Sequence, residues 1–320
     1  MSDRRMVRDS AGREVALPVR LRRVLPTGNP AAAAVYCVAR DRLMGWPEPI
    51  PGQAAPISAH LPKVPRLNPY ELKKSVSAVR AAAPDLVLDF GNCGTAFVSF
   101  ADRLQAETGI PVAIVDGHLS RTSEALSLLG RLFDVPERTE GLDKEWQRIW
   151  SGVSDALARI KATPRVHYAI GPAGEKTVRR GSIHLESLTM LGAENVAEVE
   201  TGNGGRVRID RHDVARWDPD IILTIDPDFH ANAPSLDVWG NMRAVRAGRV
   251  HLAPAPILSW FDFPPSINRV IGLAWLARLF HGDAYCGDLA AEAREFHRAY
   301  YAADLDDNAL AAMLAKAGVD

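Results

Sequence analysis

Apolar residues in this chain recur in two rhythms, short runs of strand length and longer stretches at helical spacing. "RLRRVLPT" (20–27) predicts a short strand ending in the turn "PTGNP", and "AAAAVYCVARDRLMGW" a helix followed by extended chain. A Pro-rich loop is expected over roughly 47–69, then a helix over "YELKKSVSAVRAAA". "PDLVLDFG" reads as a buried strand closed by a glycine turn. "FVSFADRLQAETG" reads as a helix stopped by Gly109, and "IPVAIVD" as another strand. Strands and helices that alternate in this way predict a parallel sheet with helices on its faces.

The pattern changes over 121–162. "SEALSLLGRLFDV" predicts one helix, and "PERTEGLDKEWQRIWSGVSDALARIKA" a long charged one. Leu142, Trp146, Ile149, Trp150, Val153, Leu157 and Ile160 follow helical spacing along it. After Pro164 the alternation resumes, with strands at "RVHYAIG", "PDIILTID" and "RVHLAPA" and helices at "HLESLTMLG" and "DRHDVARWD". "SINRVIGLAWLARLFHG" predicts a helix capped by Ser266 and ended by Gly282. The tail, "LAAEAREFHRAYYA" and "DDNALAAMLAKAG", is helical.

One unit occurs twice. "VRAAAPDLVLDFG" (79–91) and "VARWDPDIILTID" (214–226) each read helix, Pro-Asp, buried strand, turn. Two copies flanking a helix-only segment predict an α/β protein of two similar lobes with parallel sheets, joined by one long helix. The expected division is 1–136, 137–162 and 163–320. Ligands of such sheets bind at the carboxyl ends of the strands, which places the expected ligand cleft between the lobes.

Composition narrows the function. The 320 residues carry a formal net charge of −1, so no nucleic-acid partner or membrane-surface patch is expected. The start "MSDRRMVRDSAGREV" has no hydrophobic h-region, so the chain as given carries no signal peptide. Cys37, Cys93 and Cys286 are odd in number and show no C-x-x-C spacing, against a disulfide framework or zinc ribbon. "GPAGEKT" (171–177) lacks the glycine and spacing of a phosphate loop, and no dinucleotide, serine-hydrolase or zincin motif occurs.

The whole chain resembles the substrate-binding proteins of ABC importers for iron complexes, cobalamin and haem. The similarity is carried by "VRDSAGREVALPVRLRRVLPTG", "ARDRLMGW", "VRAAAPDLVLDFG", "GSIHLESLTMLGAENVAE" and "NMRAVRAGRVHLAP", in that order. The resemblance implies two Rossmann-like lobes, a bridging helix, and a protein that is not an enzyme. It also implies a small-molecule ligand, a permease partner, and a monomer with no cofactor of its own. A start similar to the mature family at Val7 implies a removed leader and a periplasmic or extracytoplasmic location. The family's docking glutamates, seven residues before each proline, are replaced here by Ser77 and His212. Glu71 and Asp213 or Asp210 lie nearby as substitutes.

The loops that follow the strands supply the candidate ligand contacts. In the first lobe these are Asn29, Asn92 and His118; in the second, Arg179, Arg180, His230, Trp260, Phe261 and Asp262. An arginine beside a helix start suits an anion or a carboxylate-bearing chelate. In "LSWFDFPPSINR" (258–269), strand-like alternation sends Trp260 and Asp262 one way and Phe261 the other, leaving one ring to face ligand. Asp262 is free to accept hydrogen bonds, bind a cation or pair with an arginine such as Arg179. A metal chelate, a ferric siderophore first among them, is the expected ligand, with an oxyanion such as molybdate or tungstate as alternative. A metal-dependent enzyme built on Asp116, His118, Asp226 and His230 is the competing class.

Overall fold

The computed structural model describes residues 4–49, 61–160, 162–197, 199 and 206–319. Residues 50–60 of the expected Pro-rich loop lie outside this set. The chain forms two compact units. One comprises Met1–Gln147 with Pro264–Ile267 and Phe296–Ala303; the other comprises Arg148–Phe263, Asn268–Glu295 and Asp304–Asp320. The 22-residue helix Pro136–Leu157 runs from the first unit into the second. It starts with proline at a position where the missing N–H costs nothing. Leu142, Trp146, Ile149 and Val153 form its buried stripe.

The first unit holds a three-stranded parallel sheet, β3 (Val24–Pro26), β4 (Leu86–Gly91) and β5 (Val112–Asp116), in that spatial order. Val87, Val112 and Ile114 pack with Val76 and Val79 of the helix Leu72–Ala82 and with Phe100 and Leu104 of the helix Thr95–Thr108. Near-continuous apolar strands of this kind need cover on both faces. An N-terminal hairpin, β1 (Arg4–Arg8) and β2 (Glu14–Pro18), precedes the sheet. Its turn is fastened by Asp9, which accepts from the N–H groups of Ala11, Arg13 and, across to β5, Ile114.

The second unit holds a four-stranded parallel sheet. Its strands are β6 (Arg165–Ala169), β8 (Glu194–Asn195), β10 (Ile221–Thr224) and β11 (Val250–Leu252), in the spatial order β11-β10-β6-β8. A small antiparallel pair, β7 (Lys176–Thr177) and β9 (Val207–Arg208), adjoins it, with Lys176 bridged to Ile170 directly after β6. Ile222, Val214, Phe229, Trp239 and Val245 form its core.

The repeated Pro-Asp unit has the same physical job in both units. Each preceding helix ends on a non-glycine residue in the left-handed region, Ala83 (φ 46°) and Asp218 (φ 43°), directly before the proline. The proline cannot continue a helix, so the chain turns there. The following carboxylate then caps the start of the neighbouring strand. Asp85 accepts from the N–H groups of Arg22 and Arg23 (2.8 and 2.9 Å), and Asp220 from that of Arg165 (3.1 Å). The arginine side chain closes the clamp by donating to a helix-end carbonyl, Arg23 to Ala82 (2.8 Å) and Arg165 to Trp217 (2.7 Å). Helix end, strand start and proline turn are thus tied together by one motif, used twice.

Gly109 (φ 71°) and Gly282 (φ 53°) end their helices, matching the sequence reading. The Ser266 cap is corrected. The helix Arg269–His281 begins after Asn268, and Ser266 is buried in the turn before it. Asn268 donates to the carbonyl of Leu258 (3.1 Å), so its side chain secures the incoming loop rather than the helix start. No described helix is long and apolar enough to cross a membrane.

Candidate functional site

The loop after β11 folds back on itself instead of running extended. Ser259 Oγ accepts from the N–H groups of both Phe261 and Asp262 (3.2 Å each), and Trp260 N–H donates to the carbonyl of Pro254 (2.8 Å). A serine turn of this type competes with extended backbone. The alternation expected for an extended loop is therefore absent. Trp260, Phe261 and Asp262 all have 0 % exposure. Phe261 meets Tyr168 edge-on (centroids 4.8 Å, 82°) and Trp275 likewise (6.5 Å, 79°). Gly272 lies against the Trp260 carbonyl so closely that a Cβ there would collide with backbone. The expectation that one ring presents an open face is corrected: both rings pack inward.

Asp262 is buried but paired. Its Oδ1 lies 2.5 Å from His184 Nδ1, and its partner is this histidine, not Arg179. Burial, then the Asp262 charge, push the neighbouring Tyr168 phenol well above its ordinary value. Arg269, itself buried, donates to the carbonyl of Ile183 (2.7 Å) and reaches Glu186 (3.4 Å). Burial lowers the Arg269 pKa, while Glu186 and Asp262 oppose the shift. Burying charge without a partner is costly, so this set holds together or not at all.

The part of the cluster that reaches the surface is different. Phe263, at φ 43°, turns its half-buried ring outward from the buried pair of aromatics. The His184 ring stacks on it (4.8 Å, 26°), and the Arg206 guanidinium lies 3.7 Å from its centroid. Arg206 is exposed, and the His184 side chain keeps 15 % exposure. Arg179 and Arg180 are exposed in the loop just before Ser182, whose hydroxyl accepts from His184 N–H (3.4 Å). Their side chains make no hydrogen bond or ion pair among the described residues. His184, Arg206 and Arg269 were not picked out in the sequence. His184 and Asp262 are 78 positions apart, and nothing in a single sequence couples them.

The other predicted contacts sit as follows. Asn29 is buried, and its side chain exchanges hydrogen bonds with the Glu48 backbone, so it clasps a loop. Asn92 is exposed and its Oδ1 accepts from Gly94 N–H (2.6 Å). His118 is partly exposed at the end of β5, with Nδ1 2.6 Å from Asp116 Oδ1. Cys93, beside them, has its thiol pushed up to about 12 by burial and then by Asp116 and Asp9. It is a poor nucleophile in that state. His230 departs from its expected place. Its ring lies beside the Lys316 and Val250 backbone, at the amino end of β11, and burial lowers its pKa. Asp226 caps the helix Pro227–Asn232, accepting from Asp228 and Phe229 N–H. Among the described residues no group of three or more His, Cys, Asp or Glu could hold a metal ion. The docking candidates are all at the surface of their helices. Glu71 pairs with Lys74 and Asp213 with Arg216, while Ser77 donates to the Lys73 carbonyl and His212 is exposed.

Solved structures share this architecture over nearly the whole chain. An ABC transporter solute-binding protein from Sulfurospirillum deleyianum superposes with a TM-score of 0.85 at 21 % identity, covering 97 % of this chain and 98 % of that one. The molybdate-bound periplasmic binding protein MolA of Haemophilus influenzae gives 0.76 at 18 %, covering 94 % and 99 %. A periplasmic heme-binding protein from Pseudomonas aeruginosa gives 0.60 at 21 %, covering 82 % and 93 %. The fold is thus that of the two-lobed binding proteins with a long connecting helix. No curated protein matches the chain in sequence. The family model described as periplasmic binding protein matches residues 54–257, and the chain belongs to that family. Its members bind small ligands and deliver them to an ABC permease, and are not enzymes.

Proposed function

We propose that this protein captures an anionic metal chelate outside the cytoplasm, a ferric siderophore or similar iron complex, and delivers it to the permease of an ABC importer. The observation that carries the reading is the Arg206–Phe263–His184 cluster at the surface of the second unit. A cationic fork and an imidazole held on an aromatic face suit a negatively charged ligand that presents flat, delocalised rings, as the catecholate arms of a ferric chelate do. Arg179 and Arg180 add two exposed guanidinium groups from the adjoining loop. The buried Asp262 and Arg269 serve by fixing His184 and the loop that carries Phe263. Docking on the permease falls to Glu71 and Asp213, acidic groups at the starts of the two helices that precede the Pro-Asp turns. Each would exchange its own basic partner for one on the permease.

The second reading is an oxyanion such as molybdate. It is favoured by Arg179 and Arg180, whose side chains have no described partner, and by the molybdate carried by the Haemophilus protein of similar fold. Melting temperature measured with ferric tris-catecholate, ferric citrate, haem, cobalamin and molybdate separates the two. A ligand held at a hundred times its Kd adds about 2.7 kcal/mol of stability. A rise with the ferric chelates is expected. A rise with molybdate alone selects the oxyanion, and no rise with any of them removes both readings.

A further inference from the structure

The first unit contains a second basic site, at the opposite end of its sheet from the ligand loops. A pocket of about 540 Å³ is lined by Arg5, Arg20, Arg22 and Arg42, with the exposed Val19 as its accessible apolar side chain and Asp41 and Asp134 also on its lining. Arg20 and Arg22 lie on the run into the amino end of β3, and Arg42 just before Leu43, which bridges to Val24 of that strand. The loops after β3, β4 and β5 leave from the carboxyl ends.

Two of the four guanidinium groups are held in place. Arg5 donates to the carbonyls of Arg131 (2.6 Å) and Leu132 (2.5 Å), and Arg42 to that of Phe133 (2.5 Å). These are the last carbonyls of the helix Thr122–Phe133, which lack partners within the helix and attract cations. Arg20 and Arg22 are exposed, and their side chains make no hydrogen bond or ion pair among the described residues. Two anchored and two uncommitted arginines face two carboxylates, which leaves a local excess of positive charge in a chain whose net charge is −1. Asp41 is mostly solvated and only 3.9 Å from Arg42 at its nearest, so it neutralises little.

We propose that this pocket binds a phosphate group, with Arg20 and Arg22 as the arms that close on it. Guanidinium forks match the oxygens of a phosphate bidentately, and anchored arginines lose little freedom on binding. The exposed Val19 beside the guanidinium groups leaves room for the organic part of a phosphate ester. Two sources present that chemistry, a soluble phosphorylated molecule and the headgroups of an anionic lipid surface.

The test uses the full chain and the double variant R20Q/R22Q, whose substitutions are exposed. Binding is measured by calorimetry with pyrophosphate and by co-sedimentation with phosphatidylglycerol vesicles, phosphatidylcholine vesicles serving as the uncharged comparison. Binding to at least one probe is expected, weakened about tenfold or more in the variant, as loss of two charge-assisted contacts requires. Pyrophosphate binding identifies the soluble source; binding to phosphatidylglycerol alone identifies the headgroup. Absence of binding to both, or equal binding by the variant, overturns the proposal.

Discussion

Trp260→Ala is expected to lower the stability of the protein by roughly 3–5 kcal/mol, the range for removing a large aromatic from a packed interior. The residue follows a strand on a loop, where a ligand contact would be unsurprising, yet its side chain has no exposed surface. Its backbone carbonyl is pressed against Gly272 in the helix Arg269–His281, so the loop cannot move inward to fill the space. Phe261 and Trp275 stand on the same core. Urea unfolding checks the magnitude. The affinity per folded molecule should stay that of the wild type. A variant with normal stability and weakened binding would return Trp260 to the ligand surface.

Acid is the second large lever. His167 in β6 is fully buried between Trp217 and Trp239, and neither ring nitrogen has a described hydrogen-bond partner. Burial drives its pKa down to about 3. His251 in β11 is held down to about 4, by burial first and then by His230 and Arg249. Both imidazoles are therefore neutral in the fold at pH values where the unfolded chain, with histidine near 6.5, is protonated. Stability is fully present above pH 6.5 and declines as the pH falls toward 4, where His251 begins to bind its proton, and 3, where His167 does. At pH 5 each histidine removes about 2 kcal/mol. Urea unfolding at pH 7.5 and pH 5 measures their sum together with the contributions of His230 and His281, whose pKa values burial also lowers. His167→Phe keeps a ring in the cavity and should remove its share of about 2 kcal/mol from the pH dependence while holding or raising stability at neutral pH. A flat profile between pH 7 and 5 would show that these histidines have polar partners in solution.

The large elements were readable because their signals are local. Gly109 and Gly282 mark helix ends by adopting positive φ, and the Pro-Asp pairs mark the turns into β4 and β10. Even there the sequence did not show what the aspartates do, since Asp85 and Asp220 act on strand starts 55 to 63 positions away. The N-terminal hairpin went unread because β1 and β2 expose alternate polar residues around a short turn, a weak pattern next to the long apolar runs. The candidate site was legible in region but not in detail. "LSWFDFPPSINR" does enter the cluster, yet the Ser259 turn, a side chain competing with the backbone, reverses which rings face outward. Phe263 emerges at a φ that sequence does not predict for an aromatic residue, and Arg206 and His184 reach it from distant segments.

The central claim is that an anionic chelate is held on the second unit by Arg206 and its aromatic support. Calorimetric titration of ferric tris-catecholate into the wild type and Arg206→Ala tests it most directly. Arg206 is exposed, so the unliganded variant should unfold like the wild type. The account predicts saturable binding by the wild type and a loss of about tenfold or more in the variant, about 1.4 kcal/mol per factor of ten. Equal affinity in the two proteins, or no binding by a folded wild type, would contradict it.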